Sequence, residues 1–244
     1  MKSVVIMLPT LDEAKGLDMV AKEIPYLRLE KMGWTPKVWV VDGGSHDETI
    51  SIAKKHGFEF IRQQGKGKGA AMRLGFRKFL EHGHDALVML DSDGTYDAKE
   101  IPRFLSALSN CDVVIGDRLN GKIEPDAMTR FNFFGNHILT WIATGMYGIT
   151  INDLCSGYWG FSKIAISRLK LNSMRFEIEA EMYTSCVNEE LHIESIPIKY
   201  SSRIGDAKLG SISDGWRIFR KLIVRRIFGT PIEAKLGKGN FDID

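Results

Sequence analysis

The first half of the sequence alternates short apolar, β-branched segments with segments of helical periodicity, and this alternation restricts the fold more than any other feature. Strands are predicted at residues 4–8, 38–41, 58–61, 87–90 and 113–115. Helices are predicted between them at residues 17–24, 50–56 and 70–82, where apolar residues recur at helical spacing. Successive strand–helix–strand units build a mostly parallel sheet with helices on its faces, so an α/β, Rossmann-like fold is expected.

The second half continues the same domain, because no internal repeat or low-complexity linker separates the two halves. An apolar helix is predicted at residues 131–147, a strand at 158–161 and an alternating strand at 196–200. Proline is confined to the edges of sheets, so Pro197 predicts that the last strand lies at an edge.

The C-terminal part predicts a basic amphipathic helix at residues 216–228. On a helical wheel one face carries apolar residues and the other carries basic residues: Trp216, Ile218, Phe219, Leu222, Ile223 and Ile227 against Arg217, Arg220, Lys221 and Arg225. The chain therefore divides into a main domain at residues 1–213 and a basic amphipathic helix and tail at 214–244, and a helix of this kind suits the headgroup boundary of an anionic membrane. A surface helix packed on the core with solvated arginines is the alternative.

Composition excludes several classes of protein. The 244 residues suffice for a full core, and 33 basic against 31 acidic residues give a net charge of +2, which does not indicate a nucleic-acid partner. The three cysteines are widely spaced without a CxxC pair, which predicts neither disulfides nor zinc and fits a cytoplasmic setting. The first apolar run is too short for a signal peptide, and polar residues interrupt the longest one, so no transmembrane segment is expected.

Polar loops follow three of the predicted strands. Their sequences are Pro9-Thr10-Leu11-Asp12-Glu13, Asp42-Gly43-Gly44-Ser45-His46-Asp47 and Asp91-Ser92-Asp93-Gly94. Ligands of open parallel sheets collect at the carboxyl ends of the strands. We therefore expect a nucleotide to lie across these three loops.

Asp91 and Asp93 are the candidate metal ligands. Mg²⁺ and Mn²⁺ prefer oxygen ligands and commonly use one or two carboxylates together with substrate phosphates. An isolated Asp-x-Asp is more often an ordinary turn at a strand end. Here two other acidic strand ends accompany it, which favours the metal site.

Basic residues beside glycines supply candidate phosphate ligands. The segment 65–71, Gly-Lys-Gly-Lys-Gly-Ala-Ala, opens a predicted helix and contains Lys68, and a later glycine-bearing loop contains Arg203 and Lys208. Arg118 and Arg130 are candidates for an anionic group of the acceptor. Taken alone, the glycine-rich segment is equally typical of a solvated loop, and the loop with Arg203 is more often one. Arg118 and Arg130 are each ambiguous on their own.

Taken together, the ordered motifs resemble a known family. Besides the three strand-end loops they are Gly67-Lys68-Gly69-Ala70-Ala71, Gly116-Asp117-Arg118, Asp153-x-x-Ser156-Gly157 and Arg203-x-Gly205-x-x-Lys208-Leu209. The set, over roughly residues 4–210, resembles the family 2 glycosyltransferases of the GT-A fold. The branch it resembles contains dolichyl-phosphate mannose and glucose synthases and related polyprenyl-phosphate glycosyltransferases.

The resemblance implies an inverting hexosyltransferase that moves a sugar from a nucleotide diphosphate sugar to a polyprenyl phosphate. It implies Mg²⁺ or Mn²⁺ at Asp91 and Asp93, and places Asp93, Arg203 and Lys208 in the catalytic machinery. The expected ligand-binding residues are Pro9, Thr10, Glu13, Asp42, Lys68, Asp91, Ser92, Asp93, Arg118, Arg130, Arg203 and Lys208.

The sequence departs from the family pattern at Asp12, Gly43, Thr95 and Ala207. These departures leave both UDP and GDP donors open and weaken any inference of mannose specificity.

The acceptor determines what the catalytic machinery must contain. A phosphate monoester is largely ionised at neutral pH and needs no general base, whereas a hydroxyl acceptor needs one. If the acceptor is a polyprenyl phosphate, we expect the enzyme to act at the cytoplasmic face of a membrane, with residues 1–213 as the catalytic domain and residues 214–244 at the membrane interface. A soluble GT-A enzyme acting on a hydroxyl and a non-catalytic nucleotide-binding module are the alternatives.

Overall fold

The computed structural model describes residues 1–205 and 211–230. It contains one seven-stranded sheet with helices on both faces. Its strands are β1 (Lys2–Thr10), β2 (Trp34–Asp42), β3 (Glu59–Arg62), β4 (Ala86–Met89), β5 (Val113–Ile123), β6 (Trp159–Ser162) and β7 (Ile193–Tyr200). The helices of the described residues are α1 (Ala14–Glu23), α2 (Tyr26–Lys31), α3 (Thr49–Lys55), α4 (Lys68–His82), α5 (Ile101–Ala107), α6 (Arg130–Tyr147), α7 (Lys163–Arg168), α8 (Ile178–Asn188) and α9 (Ser211–Phe228).

The strand order is β3-β2-β1-β4-β6-β5-β7. Strand β6 runs antiparallel to both of its neighbours, and the other paired strands are parallel. The predicted mostly parallel sheet and the edge position of the Pro197 strand are therefore confirmed. Strand β5 extends eight residues past the predicted end at residue 115, because its pairing with β7 resumes at Lys122 after a register shift.

Apolar side chains alternate between the two faces of the sheet and build two cores. On one face Met7, Trp39 and Met89 pack with α4, α8 and part of α9. On the other face Ile6 and Val40 pack with α1, α3 and α5. Because the central strands are buried on both faces, their carboxyl ends are held rigidly at one edge.

Four helices lie outside the sequence predictions, namely α2, α5, α7 and α8. The first three have six or seven residues, which is too short for a clear period. Helix α8 is buried at every residue from 178 to 186, so its sequence lacks the polar stripe by which an amphipathic helix is predicted.

Helix α9 confirms the predicted C-terminal helix but not the predicted division of its faces. Ile218 and Leu222 join the core, and Arg225, predicted to lie on the exposed basic face, is 3% exposed. Trp216 and Ile227, predicted to share the face of Ile218, point outward instead. That part of the prediction is wrong, because a buried acid, Glu181, pairs with Arg225 and turns the arginine toward the core.

No helix in the described ranges combines the length and the apolar character needed to cross a bilayer.

Candidate functional site

The carboxyl ends of β2, β1 and β4 lie side by side and bring the three predicted loops together. Thr10 pairs with Asp42 across β1 and β2, and Met7 pairs with Met89 across β1 and β4. The Ser92 hydroxyl donates to the carbonyl of Pro9 at 3.2 Å, which joins the first loop to the third. The site therefore forms where the parallel strands end.

Asp42 is fully buried and shapes the second loop. Its carboxylate accepts hydrogen bonds from the amides of Gly44 at 2.9 Å and Ser45 at 3.1 Å. The Ser45 hydroxyl in turn accepts the amide of Asp12 at 2.8 Å. Asp42 thus fixes the backbone that faces the site, and the first two loops form one rigid unit.

Asp93 stands at the centre of the site and uses both carboxylate oxygens. Its Oδ1 accepts the hydroxyl of Thr95 at 2.6 Å and the Thr95 amide at 3.0 Å, while Oδ2 pairs with Arg203 at 2.9 Å. Helix α1 approaches this segment at Gly16, where a Cβ would lie 2.4 Å from the carbonyl oxygen of Ser92. A larger residue at position 16 would displace the acid pair.

Asp91 lies between Lys68 and the backbone of Gly157. The Lys68 ammonium is 2.6 Å from Oδ1 of Asp91 and 2.8 Å from Glu179. A Cβ on Gly157 would lie 2.3 Å from Oδ2 of Asp91, so only glycine leaves room for this carboxylate.

Burial and charge act in opposition on this cluster. Burial alone would lower the pKa of Lys68, but the adjacent Asp91 and Glu179 carboxylates outweigh it and raise that pKa. Burial raises the pKa of Asp91 and of Glu179, and Lys68 opposes that rise in both. One ammonium therefore holds two acids in the site.

Glu179 is a site residue that the sequence analysis did not identify. It lies in the first turn of α8 and is 5% exposed. A weak signal was present, since Glu177, Glu179 and Glu181 alternate in an otherwise apolar segment. Nothing in that spacing indicated which of the three would meet Lys68.

Arg203 connects the segment after β7 to the strand ends. Its guanidinium pairs with both Asp93 and Glu13, and the Ile204 amide donates to the Asp93 carbonyl at 3.0 Å. Its Nε is buried without a hydrogen-bond partner in the described ranges. Lys208, the other predicted cation of this loop, lies outside the described residues.

The glycine-rich segment opens α4, as predicted, but part of it is covered. The Ala70 amide donates to the carbonyl of Met174 at 3.3 Å. A Cβ on Gly67 would lie 2.3 Å from that same carbonyl oxygen. The first turn of α4 therefore packs against residues 173–175, and its charge reaches the site through Lys68.

Arg118 and Arg130, the two predicted acceptor ligands, differ in environment. Arg118 is buried and donates twice to Asp153, at 2.6 and 2.8 Å, with its guanidinium 5.2 Å from the ring centroid of Tyr200. Arg130 is exposed at the first residue of α6. Binding of a phosphate by Arg118 would require the Asp153 pair to share or release the guanidinium.

The acid pair fits a divalent cation of the Mg²⁺ or Mn²⁺ type. Both carboxylates offer hard oxygen atoms, and each already attracts a cationic group, Lys68 at Asp91 and Arg203 at Asp93. No cluster of three or more metal-binding side chains occurs in the described part of the chain. Phosphate and water oxygens would have to complete the coordination, as they commonly do for Mg²⁺.

Comparison with known proteins relates the chain to a family of glycosyltransferases. The sequence profile of glycosyl transferase family 2 matches residues 33–170. Glycosyltransferase AglJ of Haloferax volcanii is 34% identical over 94% of this chain and 74% of its own length. A dolichyl-phosphate hexose transferase of the same organism is 28% identical over 74% of this chain and 77% of its own length.

Solved structures show the same fold. Glucosyl-3-phosphoglycerate synthase from Mycobacterium tuberculosis, crystallised with Mn²⁺ and UDP-glucose, aligns with a TM-score of 0.70. The alignment covers 95% of this chain and 81% of that chain at 18% identity. The fold is therefore GT-A, as the sequence predicted.

Proposed function

Since the chain belongs to glycosyl transferase family 2, we propose that it transfers a hexosyl group from a nucleotide diphosphate sugar to a polyprenyl phosphate, with inversion at the anomeric carbon. The observation that carries the proposal is the acid pair Asp91 and Asp93 set between two cations, Lys68 and Arg203. Such a set would recognise a diphosphate through a divalent ion held by the two carboxylates and through direct ion pairs with the two cations.

On the donor side, the residues of the first two loops would contact the nucleoside. Thr10 and Asp42 end adjacent strands, and Glu13 and Asp93 share Arg203. A diphosphate bound at the acid pair would compete for Arg203, whose buried Nε still has a proton to donate. Lys208 is proposed to assist from the same loop.

The metal would supply positive charge that stabilises the nucleoside diphosphate as it departs. The residues of the chain would do the remaining work. Asp91 and Asp93 would hold the ion, Ser92 fixes the backbone between them, and Arg203 would neutralise phosphate charge. Closure of the loop that carries Arg203 would exclude water from the donor.

A phosphate acceptor suits this site, because three of its acids are already held by protein groups. Asp42 is bonded to backbone amides, and both Asp91 and Glu179 are bonded to Lys68. A hydroxyl acceptor would need one of these acids as a general base, whereas a phosphate is already ionised. The similarity to the dolichyl-phosphate hexose transferase of Haloferax volcanii supports the same acceptor class for this chain.

A polyprenyl phosphate acceptor places the enzyme at a membrane. We propose that residues 1–213 form the catalytic domain, that residues 214–244 lie near the bilayer, and that the protein binds peripherally at the cytoplasmic face. Arg118 and Arg130 are the proposed ligands of the acceptor phosphate.

The test is a transfer assay with a short isoprenyl phosphate and its matching alcohol as acceptors. UDP- and GDP-hexoses are supplied as donors, with Mn²⁺ or Mg²⁺. Transfer to the phosphate alone, with a product of inverted configuration by NMR, is expected. Transfer to the alcohol at an equal rate, or no transfer from any donor by a folded protein, would overturn the proposal.

A further inference from the structure

Helix α6 presents a row of large apolar side chains to solvent. Phe131, Phe134, Ile138 and Trp141 follow one another at intervals of three, four and three residues, so they lie along one face. Trp141 is 78% exposed and Phe134 66% exposed. The helix packs on the protein through its opposite side, at Thr140 and Ala143. A contiguous apolar row of this kind marks an interaction surface.

Helix α6 carries no acidic side chain, and the charge that it does carry is positive. Its 18 residues contain no aspartate, glutamate or lysine, and its first residue is Arg130. At the other end, the guanidinium of Arg226 in α9 lies 5.8 Å from the ring centroid of Tyr147. Both arginines are exposed, so each end of the apolar row carries a positive charge.

We propose that this face of α6 docks the protein on an anionic lipid bilayer, with the helix parallel to the membrane plane. The inference deepens the proposed function and rests on it for the presence of a lipid substrate. An 18-residue helix is about 27 Å long and can lie along the headgroup boundary over its whole length. Tryptophan and phenylalanine favour that boundary, and arginines pair there with lipid phosphates.

Charge favours a bilayer over a second copy of the chain. In a twofold dimer through this face the helices would meet either antiparallel or crossed, and no acid of α6 would face the arginines of the partner helix. An anionic membrane supplies the missing negative charge at both ends. The same face therefore suits lipid better than itself.

The docking face is linked to the acceptor side of the site. The hydroxyl of Thr140 accepts the amide of Leu154 at 3.0 Å, and the adjacent Asp153 holds Arg118. Docking through α6 would thus hold the proposed acceptor ligands close to the headgroups. Helix α9 also exposes large apolar side chains, namely Trp216, Val224, Ile227 and Phe228. Exposed Arg217, Arg220 and Arg226 are interspersed with them along the helix, so α9 presents a mixed surface rather than an apolar row.

Vesicle flotation tests the inference. The full chain is mixed with vesicles of phosphatidylcholine alone or with about a quarter phosphatidylglycerol. We expect the wild type to float with the anionic vesicles, and Phe134→Ser/Trp141→Ser to lower the partition coefficient about tenfold or more, since two large apolar groups are no longer buried. The matched control is Leu27→Ser/Ile164→Ser, which changes two exposed apolar residues of α2 and α7 and should float as the wild type does.

Two further readouts separate the outcomes. Transfer to a short, water-soluble isoprenyl phosphate without vesicles should stay within about twofold of wild type in the α6 variant, because the chemistry does not need the bilayer. Unchanged flotation of the α6 variant would overturn the docking surface. Two other results would overturn it as well. One is loss of short-chain transfer by the α6 variant while its circular dichroism spectrum is intact, and the other is a wild type that is dimeric in gel filtration with an α6 variant that is monomeric.

Failure of the proposed function gives a different pattern. If the wild type floats and the α6 variant does not, but neither transfers a sugar, the docking surface stands and the assigned reaction falls.

Discussion

At the level of single residues, Lys68 and Arg203 each hold two carboxylates, and these four ion pairs define the site. Asp91 and Asp93 could be predicted because they follow an apolar strand directly. Glu179 could not, because its helix is buried and its partner Lys68 lies on a distant segment. Position relative to a strand is encoded locally, whereas the partner of a buried acid depends on packing.

Replacing Asp93 by asparagine should abolish most of the activity. Asparagine keeps the size of the side chain and can still meet Thr95, but it removes the charge that binds the metal and Arg203. We expect transfer to fall by about 10²-fold or more at saturating Mn²⁺. Asp126→Asn, at an exposed turn, is the matched control. Near-normal turnover in both Asp91→Asn and Asp93→Asn would refute the metal assignment.

Glu179→Gln should act mainly on metal affinity. Without the glutamate, Lys68 has Asp91 as its remaining acid and competes more strongly with the metal for it. Residues that orient metal ligands typically affect affinity by about 10–100-fold, so the Mn²⁺ concentration for half-maximal activity should rise by about tenfold or more. The maximal rate should change less. Glu190→Gln, at an exposed turn just after the end of α8, should leave the Mn²⁺ titration unchanged, and an equal effect there would contradict the role of Glu179.

At the level of elements, the central strands could be predicted because their apolar, β-branched runs are buried on both faces of the sheet, whereas the edge strand β7 could be predicted from its alternating pattern. The orientation of α9 could not be predicted from its wheel. The wheel separates apolar from basic residues, but it cannot indicate that the buried Glu181 of α8 forms ion pairs with Arg225 and Lys221. A buried acid on one helix therefore decides which side of another helix faces the core.

Glu181→Gln should weaken the packing of α9 against α8. Glu181 is fully buried, pairs with Arg225 and Lys221, and accepts the amides of Asn172 and Ser173 at 2.9 and 2.6 Å. Breaking a buried pair on one side costs about 3–5 kcal/mol of unfolding free energy, measurable by urea denaturation. Glu30→Gln, on the exposed side of α2, should cost almost nothing.

This destabilisation should depend on pH. Burial would raise the pKa of Glu181, but Lys221 and Arg225 outweigh it and hold the pKa below its ordinary value of 4.5. The stabilisation is therefore fully present above pH 4.5 and is lost as the pH falls through the lowered pKa of the folded state. The difference between wild type and Glu181→Gln should shrink on acidification, and a constant difference would refute the pairing.

At the level of the whole molecule, the site draws on β1, β2, β4, α4, α8 and the segment after β7. A ligand that binds these elements together binds only the folded chain and raises its stability by mass action. UDP or GDP with Mn²⁺ should therefore raise Tm in differential scanning fluorimetry. Chelation of the metal should remove most of the shift, because the diphosphate would lose the ion that links it to Asp91 and Asp93. An equal shift with a chelator present would show that the nucleotide binds without metal.

The ion pair between Arg203 and Glu13 spans 190 positions of the sequence. A growing chain can present the first strand-end loops early, but it cannot complete the site until the segment after β7 has been synthesised. Partly made or truncated chains should consequently bind nucleotide sugar poorly. The same long-range closure means that a bound donor should slow the global unfolding of the protein and its digestion by proteases.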